Sequence, residues 1–109
     1  MAVEARLLPA NRTTLNVAAA TVVATPSATA AGTSPQPVVL VRISVNTVGG
    51  TAGTINDCAT TGAVAATNLV YTIPTTAVAG TVIELQWPMF AGLCVTSGTS
   101  GVLAVTWSA

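Results

Sequence analysis

Six side chains carry formal charge at neutral pH: Glu4, Arg6, Arg12, Arg42, Asp57 and Glu84. A sheet could bring Asp57 and Glu84 together, and a carboxylate pair in a cleft is the minimum for glycoside hydrolysis. Such a site also needs aromatic and hydrogen-bonding groups around the sugar, and the chain has only four aromatics, Tyr71, Trp87, Phe90 and Trp107. Isolated acids are the better reading. For Asp57 the better reading is a local role, in which a carboxylate following Asn56 near a strand end accepts nearby backbone N–H groups.

Cys58 and Cys94 are the other reactive groups. A structural zinc wants four nitrogen or sulfur ligands, and there is no histidine and no third cysteine, so no metal is expected. Two readings stay open. A disulfide needs Cα atoms within about 7 Å and an oxidising compartment. Two buried thiols need neither and are favoured, because free cysteine is among the most buried residue types.

Without lysine there is no Schiff base and no phosphate-loop lysine, and Gly49-Gly50 and Gly98-Thr99-Ser100-Gly101 read as turns. No cofactor is expected, and catalysis is the weakest class of function for this composition. The net charge is zero, which removes the basic footprint for nucleic acid or anionic membranes. No apolar run reaches the 18 residues a membrane-spanning helix needs. The sequon Asn11-Arg12-Thr13 matters only in a secretory pathway.

The elements follow from a composition that is 51% hydrophobic and 6% charged in 109 residues. Val and Thr are stiff at χ1 and suit pleated strands, and long helix formers are scarce. Residues 1–37 read as an N-terminal arm, with one strand within Leu15–Val23 and a Pro/Ser/Thr-rich connection through Pro26, Gly32, Pro35 and Pro37. Arg6 and Arg12 ahead of an Ala/Val/Thr stretch superficially suggest a signal peptide, but Thr, Ser and Pro dilute the stretch and Glu4 interrupts its basic leader. Within the arm, Leu7, Leu8 and Pro9 form a small apolar anchor between Arg6 and Arg12, suited to lying on a neighbour or adding to a sheet edge.

Residues 38–109 read as the folded domain. Val39, Val41, Ile43 and Val45 alternate against Arg42, Ser44 and Asn46; Leu69, Tyr71 and Ile73 alternate until Pro74; Ile83, Leu85 and Trp87 alternate until Pro88. Shorter strands are expected around Ile55, over Leu93–Thr96 and over Val102–Trp107. The expected core is Val41, Ile43, Val45, Leu69, Tyr71, Ile73, Leu85, Trp87 and Trp107. Seven or eight short strands punctuated by turns predict an all-β antiparallel sandwich or barrel. A surface of Thr, Ser, Ala, Asn and Val gives little protection against association, which favours a protein covered by neighbours in an assembly.

From Val38 onward, over about two-thirds of the chain, the sequence resembles small structural proteins of tailed bacteriophage particles. The resemblance rests on Val41-Arg42-Ile43-Ser44-Val45-Asn46, Gly53-Thr54-Ile55-Asn56-Asp57, Gly80 to Pro88, Gly92 to Gly98 and Val102 to Ser108. Cys94 stands where those relatives commonly carry tyrosine, and the arm is not covered. The resemblance implies a jelly-roll-like β-sandwich acting as a head decoration or cement protein on the capsid surface, made in the bacterial cytoplasm. It also implies the major capsid protein and further copies of the chain as partners, often as a homotrimer. A tail, neck or fibre-associated protein and a receptor- or carbohydrate-binding module are the alternatives on the same fold.

Overall fold

A computed structural model describes residues 11–26 and 36–108. Its elements are β1 (Asn11–Val17), β2 (Thr21–Ala24), β3 (Val38–Thr47), β4 (Gly53–Asp57), β5 (Leu69–Ile73), β6 (Val82–Met89), β7 (Leu93–Thr96) and β8 (Val102–Ser108). Two short 3-10 turns, Thr61–Ala63 and Ala66–Asn68, lie between β4 and β5. The strands form two four-stranded sheets, ordered β1-β8-β3-β6 and β2-β7-β4-β5.

Every pairing is antiparallel, and the pairs β1 with β8, β2 with β7, β3 with β6 and β4 with β5 are those of one long hairpin. Rolling that hairpin brings β8 beside β3 and β7 beside β4, which completes both sheets. This is the strand order of an eight-stranded jelly roll, the double-sheet solution by which such folds limit exposed strand edges. The all-β sandwich expected from the sequence is therefore the fold.

Residues 11–24 belong to that sandwich. The sequence reading placed them in an arm, with one strand across Leu15–Val23; instead β1 and β2 are separate edge strands, one in each sheet, divided at Ala18–Ala20. Within β1, at the register shift between Thr14 and Val17, Asn16 has φ 57°, the left-handed conformation that asparagine tolerates better than most residues.

Leu40, Ile43, Val45, Ile55, Met89, Leu93, Val95, Leu103 and Val105 are fully or almost fully buried between the sheets. Of the expected core, Ile43, Val45 and Ile73 lie in it, while Tyr71, Leu85 and Trp107 are partly buried and pack against it. Three positions depart from the simple alternation because of irregularities in strand register. On β3, Leu40 stands opposite Trp107 and Arg42 opposite Thr106, so Val41 is an extra residue. Val38 and Leu40 therefore point inward before that bulge and Ile43 and Val45 after it, while Val41 is buried outside the main core cluster.

On β5, Tyr71 faces Ile55 but Leu69 faces Asn56, so Val70 is the extra residue and Leu69 turns outward, exposed rather than in the core. On β6, Leu85 and Gln86 together fill the gap between Trp87, opposite Leu40, and Glu84, opposite Arg42; Gln86 has φ 51°. Trp87 thus occupies the edge of the sheet and is 49% exposed, contrary to the expectation of a core tryptophan. The strand also continues through Pro88 to Met89 rather than ending at the proline, which is tolerated because β6 is an edge strand.

Candidate functional site

The charged side chains of the described residues are all engaged locally. Arg42 Nε donates to Glu84 Oε1 at 2.9 Å across the β3–β6 pair, with both side chains substantially exposed. Such a pair contributes about 0–1 kcal/mol. The Arg12 guanidinium lies 5.4 Å from the Trp107 ring centre, its cross-strand neighbour in the β1–β8 pair. Asp57 Oδ2 accepts the N–H of Phe90, and its Oδ1 accepts those of Ala91 and Gly92, at 2.7 to 3.1 Å. Asp57 does accept backbone N–H groups, but not local ones as its position near a strand end suggests: all three donors lie on a turn more than thirty residues away in sequence. Asp57 and Glu84 thus have separate structural partners and lie on strands of different sheets.

Cys58 and Cys94 are both buried free thiols. Cys94 lies opposite Asn56, and Cys58 lies two residues further along the same strand edge, its N–H bonded to Gly92 O. Cys58 Sγ donates to Thr60 O at 3.3 Å. Burial, followed by the neighbouring Cys58, pushes the Cys94 thiol up to about 11 from 9.0. A thiol held protonated in this way is a poor nucleophile and a poor soft-metal ligand. Among the described residues no group of three or more His, Cys, Asp or Glu side chains is placed to hold a metal.

Both cysteine positions belong to the outward side of the second sheet, which the segment between β4 and β5 covers. Asn56 Nδ2 donates to Ala65 O and to Asn68 Oδ1, while Asn68 donates to Ala63 O and accepts from the Ala65 N–H. Asn56 is almost wholly buried beneath this segment, and its Oδ1 has no hydrogen-bond partner among the described residues. Beside it, Thr54, Asn56, Val64, Ala65, Ala66 and Leu69 line an open concavity of about 260 Å³. Its walls are mainly apolar. The sequence singled out neither Asn56 nor Asn68 as a pair, since their meeting depends on two tight turns within an Ala/Thr-rich stretch.

The other feature is a run of exposed apolar residues along β5, β6 and the turns that flank them. Among the described residues, Leu15, Val64, Leu69, Val78, Val82, Trp87 and Phe90 are the exposed large hydrophobics, and all but Leu15 fall between residues 64 and 90. That stretch contains β5 and β6, which terminate the two sheets and follow one another along the chain. Phe90 is 70% exposed even though its backbone is held by Asp57. The only charged side chain within residues 64–90 is Glu84, already paired with Arg42. Two sheet edges that have no partner strand among the described residues, with exposed apolar residues and little charge, are the makings of a protein contact surface.

Of the interface residues expected in the arm, Arg12 is placed in β1 on Trp107, whereas Arg6, Leu7, Leu8 and Pro9 lie outside the described residues. Among the described residues no helix is long and apolar enough to cross a membrane. Comparison with protein-family models, with curated proteins and with solved structures returns no match.

Proposed function

We propose that the protein is a virion structural component, a decoration or cement protein of a tailed-phage head, gripping the major capsid protein and further copies of itself, as a homotrimer, at the capsid surface. The observation that carries this reading is the sparsely charged stretch of β5 and β6, where Val82, Trp87 and Phe90 stand exposed and the outer strand edges have no pairing partner among the described residues. An assembly protein needs contact area and completable edges rather than reactive groups. The charged side chains of the described residues are spent on internal contacts, and the thiols are buried. Dry contact of this kind is little affected by salt, and several weak contacts on a lattice combine through effective concentration. The jelly roll is compatible with this role, since viral capsid proteins use it, but lectins use it too, so the fold alone does not choose.

The test is localisation. An epitope tag following Ala109, introduced into the phage genome, is followed through purification of heads and tails and imaged by gold labelling in the electron microscope. Label distributed over the head surface supports the reading. Label confined to the tail or neck replaces it with the tail-associated alternative, and particles without label overturn it.

A further inference from the structure

We propose that the segment Arg6–Pro9 of one copy docks alongside β6 of a second copy, seating Leu7 and Leu8 against Trp87 and Phe90. This contact rests on the reading of β5 and β6 as an assembly surface and specifies which segment meets that surface. It needs no capsid.

Three observations carry it. The first is where β1 starts. Asn11 is opposite Ser108, Ser108 opposite Val39, and Val39 opposite Pro88, so the chain enters the first sheet on the same cross-strand row as the Trp87–Phe90 end of β6. The segment ahead of Asn11 therefore leaves from the end of the sandwich that carries the exposed aromatics.

The second is reach and direction. β1 and β6 are separated by β8 and β3, about 14 Å at ~4.8 Å per strand. The four residues from Asn11 back to Leu7 extend at most about 14 Å. Following β1 backwards through Asn11 leads past the end of its own sheet, so meeting its own β6 requires a reversal across that end. A neighbouring copy's β6 requires none.

The third is chemistry. Leu7, Leu8 and Pro9 are apolar, as are Trp87 and Phe90, and the flank has no free charge to repel Arg6. The opposite edge of the same sheet already shows how an arginine is accommodated: Arg12 lies over Trp107, and Trp107 and Trp87 both stand opposite Leu40. A strand added beside β6 offers Arg6 the equivalent place over the Trp87 ring. A segment-to-edge contact closes a two-fold dimer when the exchange is reciprocal, and a larger ring when each copy passes its segment to the next and the rotation closes.

The experiment uses purified protein with no phage heads present. Mass in solution is measured by light scattering and sedimentation from 1 to 100 µM for the full chain, for a chain lacking residues 1–10, and for Trp87→Ala. Circular dichroism verifies that both variants retain β-structure. A synthetic peptide of residues 1–10 is titrated into the truncated chain while tryptophan emission is recorded, with Trp87→Ala in the truncated chain as the control. The full chain is expected to self-associate, and truncation or Trp87→Ala to weaken association at least tenfold. The peptide should bind saturably and shift emission only where Trp87 is present. A full chain that stays monomeric at 100 µM overturns the proposal, including the case where the peptide still binds, which would mean the segment folds back on its own copy. Undiminished association after truncation also overturns it. Self-association without head labelling would leave this inference standing and remove the capsid assignment; the reverse result would do the opposite.

Discussion

Asp57 and Gly92 fasten the end of β4 to the turn joining β6 and β7. The carboxylate accepts three successive backbone N–H groups from Phe90 to Gly92, and Gly92 O accepts the Cys58 N–H at 3.0 Å. A Cβ built on Gly92 would collide with the Cys58 carbonyl oxygen, so the close approach depends on glycine. The clamp holds Phe90 outward on the exposed flank, linking a structural acid to the proposed contact surface.

Removing the carboxylate leaves three donors without their acceptor. Asp57→Ala is expected to lower stability by about 2–3 kcal/mol, given that hydrogen bonds to charged groups exceed neutral ones and that this turn is partly open to water. Asp57→Asn, which retains one oxygen, should fall between wild type and alanine. Denaturant midpoints at constant m-value measure both. An Asp57→Ala midpoint equal to wild type would show that water replaces the carboxylate without loss.

The bulge at Val41 sets a sharp contrast between two neighbours. Leu40 is fully buried and Val39 only partly. Leu40→Ala should cost about 2–5 kcal/mol, and Val39→Ala should cost less than about 1 kcal/mol. Equal losses in thermal or denaturant unfolding would place both side chains in the core and contradict the register.

These two residues also show what a linear reading can recover. Val/Thr alternation, Gly-rich turns and the lack of long helix formers are local signals, and they were enough for an all-β sandwich of about eight strands. Bulges are not local signals: nothing within Val38–Val45 marks Val41 as the extra residue, because β8 imposes the shift from across the sheet. The same applies to Val70, which turns Leu69 outward. The first two strands read as a single strand within Leu15–Val23 for a related reason, since Asn11–Val17 and Thr21–Ala24 are held by β8 and β7, strands from the far end of the chain. Asp57's kind of role was legible from its residue type, but its partners were not. The exposed flank was the least legible feature, because a Trp87 at the end of an alternating run reads as core until the edge position of β6 is known.

Cys94 gives the fold a stability dependence at high pH. Its proton is held more tightly in the folded chain, with the thiol pushed up from 9.0 to about 11 by burial and then by Cys58. The stabilising contribution is therefore complete below pH 9 and declines as pH rises from 9 to about 11, because the unfolded chain loses the proton first. Unfolding midpoints over that window should fall more steeply for wild type than for Cys94→Ala. Matching slopes would assign the alkaline loss to other groups. Below pH 9 the native thiol should also react slowly with alkylating reagents and rapidly once unfolded.

The boundary between arm and sandwich is testable by two truncations that differ by three residues. Removing residues 1–10 leaves β1 whole, whereas removing residues 1–13 also takes the Asn11, Arg12 and Thr13 pairings with Ser108, Trp107 and Thr106. The longer deletion loses the Arg12 contact with the Trp107 ring and the 3.1 Å bond between the Thr13 and Thr106 hydroxyls. Those two contacts, each worth about 0.5–1 kcal/mol or slightly more, and the shortened strand should make the 1–13 deletion less stable by about 1–3 kcal/mol than the 1–10 deletion. It should also expose Trp107, shifting its emission to the red. Restoring only residues 11–13 should recover both stability and emission. Identical unfolding of the two truncated chains would place the start of the sandwich after Thr13 and remove β1's first half from the fold.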